Sequence, residues 1–354
     1  MAASIPLARR GKSMTSQLGL TERIFASGED RAFARAVEDG LEIVEAGLHT
    51  EMRFADQLAD VTARYLLKAG GKRVRPMLTL LAAQLGDGNT PEVITAAEAV
   101  EITHLASLYH DDVMDEAQMR RGVPSAQFVW GNSVAVLTGD LLFARASKLV
   151  AGLGERAILL QADTFERLCL GQLHETIGPD DEEDPIAHYI QVLADKTGSL
   201  ISVAAQMGVV FSNAPAEYEQ PVVTFGEKIG VAFQLIDDVI DLSSTADATG
   251  KVPGTDLRAG VATLPLLKLR RRAKTDAASA ALLERLETEV IGAPDDVDVS
   301  AAVADLRAHD VTRETLDEAH SWAREAVLAL EPLPAGPVKK ALTRFAESIV
   351  ERSS

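Results

Sequence analysis

The sequence predicts an all-α protein, and three observations carry that expectation. Apolar residues recur at helical spacing almost throughout the 354 residues; no run of alternating apolar and polar residues argues for strands; and glycines and prolines fall where helices would start and stop. With 47% hydrophobic residues the chain can bury a sizeable core. No stretch resembles a long interdomain linker, so one helical domain over 29–354 is expected behind a flexible tail, 1–28.

Phe33, Val37, Leu41, Val44 and Leu48 form the first apolar stripe. Gly70-Gly71 closes one segment and Pro76 is placed to open the next. Thr90-Pro91 reads as an N-cap followed by proline at the first helical position, opening a long helix to about Glu116. A loop through Arg120, Arg121 and Gly122 follows, then a helix after Asn132 and further helices over 155–177, 187–212 and 216–243. The last of these is opposed by propensity, because Val222, Val223, Val231 and two glycines lie within it. Phe225, Ile229, Phe233, Ile236 and Ile240 nevertheless share one helix face, and the pattern outranks the propensity. The stretches 178–185, 244–254 and 292–298 read as loops, and shorter helices complete the chain.

A net charge of −18 and a pI near 4.8 argue against a nucleic-acid partner, so a phosphorylated ligand must be held by local cations or metals. Cys169, the single cysteine, can form no intramolecular disulfide; between Leu168 and Leu170 it reads as core packing in a reducing compartment. No apolar stretch approaches the roughly 20 residues that cross a bilayer, and a cytoplasmic protein is expected. Arg9, Arg10 and Lys12 precede the first acid, Glu22, a composition that resembles an organelle transit peptide, over which a short disordered tail is the preferred reading.

Two aspartate clusters carry the chemistry: Asp111-Asp112-Val113-Met114-Asp115 and Asp237-Asp238-Val239-Ile240-Asp241. On a helix, Asp111 and Asp115 present carboxylates one turn apart on one face, as do Asp237 and Asp241; Asp112 and Asp238 lie beside those faces. Like charges crowded at the negative end of a helix dipole repel, and a cation removes that penalty. Oxygen-only donors favour Mg²⁺, which combines a few carboxylates with water and substrate phosphate. One such cluster alone is more readily a solvated helix end; two, each flanked by apolar residues, are not required by solvation. The cations match: Gly70-Gly71-Lys72-Arg73-Val74-Arg75-Pro76 sets basic residues between a glycine turn and a helix start, and Arg120 and Arg121 follow the first cluster.

Together with Phe233-Gln234-Leu235-Ile236-Asp237-Asp238, these motifs resemble the trans-polyprenyl diphosphate synthase family over roughly residues 30–350. The resemblance implies a bundle of about ten core helices around a central cavity. It implies that Asp111, Asp112, Asp115, Asp237, Asp238 and Asp241 hold magnesium, three ions with substrate bound, against an allylic diphosphate. Lys72, Arg75, His104 and Arg121 would bind isopentenyl diphosphate, and Arg120 the allylic diphosphate. Lys196, Thr197 and Gln234 resemble the residues beside the allylic site, and Lys251 the loop lysine that closes over it. His104 lies on the stripe of Asp111 and Asp115, which favours a ligand over a packed histidine.

The implied reaction ionises the allylic C–O bond, lets the isopentenyl double bond attack, and loses a proton to diphosphate. Ser107 stands four residues before Asp111, roughly 6 Å along the helix, beside Ala106. Small residues there resemble the long-product members, implying about six to ten isoprene units and a quinone side-chain precursor such as that of menaquinone. Tyr109 should point to the opposite side of the helix; entering the cavity, it would defeat that expectation. A terpene cyclase would need no second diphosphate site, and a non-catalytic partner subunit no intact motifs. The resemblance further implies a homodimer, with transient membrane contact for product release.

Overall fold

Local signals place most of the helix boundaries in the computed structural model, which describes residues 28–243, 254–294 and 297–353. Helix α1 (Gly28–Glu51) buries Phe33, Val37, Val44 and Leu48, with Leu41 at the edge of the stripe. Asp56 caps α2 (Gln57–Ala63) by accepting from the Ala59 N–H, and α3 (Tyr65–Lys68) is a single turn. Helix α4 (Val74–Ala83) starts two residues ahead of Pro76, which sits in the first turn where its missing N–H costs nothing. Thr90 caps α5 (Pro91–Met114), its hydroxyl accepting from the Val93 N–H at 3.2 Å.

The segment after α5 is more ordered than the expected loop. Strands β1 (Met119–Arg120) and β2 (Val123–Pro124) pair antiparallel around Arg121 and Gly122, whose φ values of 54° and 76° suit a tight hairpin. Two-residue strands are too short to show an alternating pattern. Helices α6 (Ala126–Trp130), α7 (Asn132–Leu153) and α8 (Glu155–Ile177) follow.

The helix expected over 187–212 is divided. Asp184 caps α9 (Pro185–Leu193), a π-helical turn occupies Ala194–Gly198, and α10 covers Ser199–Phe211. The wide turn coincides with a close backbone approach: a Cβ on Gly230 would lie 2.5 Å from the Gly198 Cα. Gly230 belongs to α11 (Glu219–Ser243), the helix that pattern favoured over propensity. The shorter helices α12 (Thr255–Arg258), α13 (Leu264–Ala273), α14 (Ala277–Glu289), α15 (Ser300–Ala308), α16 (Asp310–Ala329) and α17 (Pro337–Val350) complete the described chain, with a final 3₁₀ turn, Glu351–Ser353.

The helices fall into two compact units. Among the described residues, one comprises those up to Glu166 with Leu200–Val223 and Leu330–Arg344. Its axis is α5, buried on every side through Val93, Ala96, Val100, Ile102, Leu105 and Tyr109, as befits a helix with little amphipathic character. The Thr79 hydroxyl of α4 donates to the Ala204 carbonyl of α10 at 2.8 Å, and Gly208 leaves no room for a side chain against the Thr79 carbonyl. The other unit comprises Arg167–Ser199, Thr224–Ala329 and Phe345–Ser354. Leu257, Leu266, Leu269, Leu286, Val303 and Leu306 lie in its core, each such side chain contributing about 1.5–3 kcal/mol by burial.

Cys169 corrects the sequence reading: it is exposed on α8, and Leu170, Leu173 and Ile177 are exposed with it. Flanking leucines do not make a residue core when that stretch of helix faces outward. No helix among the described residues is long and apolar enough to cross a membrane.

Candidate active site

In the first unit, α5 ends at the first aspartate cluster, with Asp111 half-buried and Asp115 exposed at the cap. Asp112 is fully buried; its Oδ1 accepts from Arg120 Nε at 2.6 Å, while its Oδ2 is buried without a hydrogen-bond partner. Burial pushes the Asp112 carboxyl up, against the opposing pull of Arg120. The hairpin thus turns Arg120 back onto the helix end that precedes it.

A cluster of basic side chains lies in the same unit. Lys72 is exposed, whereas Arg75 is drawn inward, its Nε buried and unpartnered, and burial lowers its guanidinium to about 10. His104 is half-buried and held well below the usual histidine range by burial and by Arg75, Arg121, Arg120 and Arg73. It is therefore a neutral imidazole among guanidinium groups. Arg121 donates to the carbonyls of Gly70 and Leu66, the latter at 3.1 Å.

Tyr109 is wholly buried, its hydroxyl donating to the Thr62 carbonyl and accepting the Leu66 N–H at 3.2 Å. It is anchored to α2 and α3. Ala106 and Ser107 are buried, and the Ser107 hydroxyl donates to the His104 carbonyl at 2.9 Å. Further along α5 from Asp111, Ala99, Val100 and Thr103 line a narrow apolar cleft of about 10 Å³ with Val150, Leu200 and Val203.

The second unit holds the other cluster at the end of α11. Asp237 pairs with Arg352 at 3.1 Å, and that guanidinium lies 4.9 Å from the Phe233 ring centre. Asp238 is buried, accepts from the Tyr189 hydroxyl at 2.9 and 3.1 Å and from the Leu264 N–H at 3.3 Å. Burial, with Asp256 and Asp237 nearby, pushes its carboxyl to about 7. Asp241 accepts the Asp256 N–H at 3.2 Å, and its carbonyl accepts the Gly254 N–H at 2.9 Å. Lys196 and Thr197 stand in the π turn, Lys196 paired with Glu175 at 2.5 Å, and Gln234 is half-buried on α11. Lys251 lies outside the described residues.

Among the described residues no three histidine, cysteine, aspartate or glutamate groups converge into a metal cage. The donors nevertheless fit a hard divalent cation that completes its shell with water and phosphate: they are all carboxylates, Asp112 keeps an unpartnered buried oxygen, and Asp238 is buried facing further acids.

Sequence reasoning missed several neighbours of these motifs. Tyr189 precedes Lys196 by two helical turns and Gln172, whose Oε1 is buried without a partner, stands one turn from Glu175; both spacings were visible. Arg352 had no such signal, being remote in sequence from Asp237.

The description "Polyprenyl synthetase" belongs to the family profile that matches residues 56–298. A nonaprenyl diphosphate synthase of Mycobacterium tuberculosis is 44% identical over 91% of this chain and 95% of the relative. The crystal structure of a decaprenyl diphosphate synthase from Rhodobacter capsulatus superposes with a TM-score of 0.80 at 33% identity, covering 92% of this chain and 99% of that one. A geranylgeranyl pyrophosphate synthase from Corynebacterium glutamicum, solved with calcium and isoprenyl diphosphate, gives 0.79 at 39% identity over 92% and 99%.

Proposed function

We infer the roles of these residues from a plain premise: the chain belongs to the polyprenyl synthetase family and is a divalent-metal-dependent prenyltransferase that lengthens isoprenoid diphosphates. The observation that carries the reading is that the chain holds two aspartate-rich helix ends, one in each unit, and a separate cluster of basic side chains, charge enough for two diphosphates.

Lys72, Arg75, His104 and Arg121 bind isopentenyl diphosphate. Neutral His104 donates one hydrogen bond to a phosphate oxygen without adding charge to an already basic site. Asp111, Asp112, Asp115, Asp237, Asp238 and Asp241 would hold magnesium, three ions with substrate bound, and Arg120 meets the allylic diphosphate. Bound there, the metal would supply electrostatic stabilisation of the departing diphosphate's charge. Lys196 binds that diphosphate, Thr197 and Gln234 face the developing allylic cation with oxygen dipoles, and Lys251 closes over the site. Residues 29–354 act as one catalytic domain, and the released diphosphate accepts the proton, so no side-chain base is assigned.

The growing chain passes Ala106 and Ser107, neither of which offers an aromatic plug, while Tyr109 is tied away to Thr62 and Leu66. With a nonaprenyl synthase among its relatives, the product is a long all-trans chain, about six to ten isoprene units, serving a quinone side chain. The geranylgeranyl synthase named above argues for a shorter product and makes length the quantity to measure. Exposed Phe128, Val129 and Leu137 on α6 and α7 offer an apolar face for a second copy of this chain. The apolar product favours transient membrane contact on release from a cytoplasmic enzyme.

Purified chain incubated with isopentenyl diphosphate, several allylic primers and Mg²⁺ should yield a ladder ending at a long polyprenyl diphosphate. Chelation of the cation, or Asp111→Ala, should abolish it with the fold retained. Ser107→Phe should shorten it. A C20 end product from the unmodified chain would sink the long-chain reading, and a cyclised hydrocarbon the elongation reading.

A further inference from the structure

Beneath the basic cradle lies a carboxylate that the reaction does not use. Glu101 is 2% exposed on α5, one turn before His104, and accepts from Arg73 Nη1 at 3.2 Å. Its charge also attracts Arg75 and Arg121, so one buried acid faces guanidinium groups from two segments of the chain. Arg73 occupies left-handed backbone at φ 50°, a conformation that costs a non-glycine residue about 1–2 kcal/mol and needs side-chain contacts to persist. Those contacts are present: Glu45 of α1 accepts from Arg73 Nε at 2.7 Å and from Nη2 at 3.1 Å, and the Leu67 carbonyl accepts from Nη2 at 3.4 Å. Gly71 passes directly over the assembly, where a Cβ would lie 2.5 Å from Arg73 Nη1 and 2.9 Å from Arg121 Nη1.

We propose that Glu101 and Glu45 are positioning residues for isopentenyl diphosphate: by gripping Arg73 from both sides they hold the Gly70–Arg75 turn so that Lys72, Arg75 and Arg121 converge on one anion. This rests on reading those basic residues as the isopentenyl diphosphate cradle. Arg73 is then a strut and not a ligand, its fork consumed by the two acids and by the carbonyls of Leu67 and Gly70. Unopposed, adjacent guanidinium groups repel and the turn relaxes from its left-handed bend.

The sign of one substitution separates positioning from simple charge. Coulomb attraction alone says that Glu101→Gln, removing a negative charge beside an anion site, tightens diphosphate binding. Positioning says that it weakens it. Glu101→Gln is expected to raise KM for isopentenyl diphosphate about tenfold, with kcat and KM for the allylic primer within about twofold. Glu45→Gln, on a half-exposed side chain that tolerates substitution, should shift the same constant by about threefold, and Arg73→Lys, which keeps the charge but loses the fork, should follow it. Calorimetric titration of metal-free protein with inorganic diphosphate reads the cradle without the metal-dependent aspartates and should show the same order. Glu101→Gln that binds as well as or better than the parent overturns the proposal. Should that variant fold poorly by circular dichroism, unchanged isopentenyl diphosphate KM in Glu45→Gln overturns it instead. Arg75→Gln serves as the control: if it leaves the KM unmoved, the cradle assignment itself fails, independently of Glu101.

Discussion

Glu98 lies buried on α5 against Gly47, where any side chain on α1 would collide with its carboxylate. Burial, helped by Glu51, pushes it from the usual value of 4.5 to about 7. Below 4.5 the folded and unfolded chains both hold the proton; between 4.5 and about 7 only the folded chain does. This group's contribution to stability therefore falls as pH rises through that window. Glu98→Gln should remove the slope, gaining up to about 3 kcal/mol relative to the parent at pH 8 and little at pH 4. Thermal denaturation at both pH values measures it, and parallel losses in the two proteins would show that another group titrates. The aspartates and arginines were legible because like charges at helical spacing are unusual. The pairings that set their state, Tyr189 with Asp238 and Glu101 with Arg73, were not, since the two partners lie on different elements.

At the scale of elements, one close approach sets where Lys196 and Thr197 stand. Gly230 lets α11 pass over the π turn that carries Lys196 and Thr197, with Gly198 directly beneath. Gly230→Ala should cost about 1–3 kcal/mol, because backbone on both sides must part. It should also lower turnover by displacing Lys196, while Gly152→Ala, at an open position, should leave both unchanged. Melting temperature together with kcat tests the pair; an unaltered melting temperature in Gly230→Ala would mean that the contact is soft. Helix α11 formed against its propensities, as the Phe225 to Ile240 stripe indicated. The division of 187–212 was hidden because a π turn keeps helical composition and is set by the glycine contact across from it.

For the whole molecule, the balance is between a net charge of −18 and large apolar side chains exposed on α6 and α7 among the described residues. Leu137 is 61% exposed and Phe128 64%, apolar surface whose removal from water is favourable. Covering them by a second copy predicts that sedimentation finds a dimer and that Leu137→Arg shifts it toward monomer, with circular dichroism unchanged. A parent chain that sediments as a monomer at micromolar concentration would rule out that role for the face.

The sequence by itself determined the helical class, the caps at Thr90 and the long α5 and α11, because these depend on spacing along one segment. It also supplied the two aspartate clusters and the basic turn, whose charge patterns need no partner to be noticed. Tertiary structure decided how those charges are held: Asp112 locked to Arg120, Asp238 raised to about 7 by burial, Arg75 drawn inward, Tyr109 tied to Thr62 and Cys169 turned outward. Desolvation and pairing depend on which distant residues share a volume, and no periodicity within one segment encodes that.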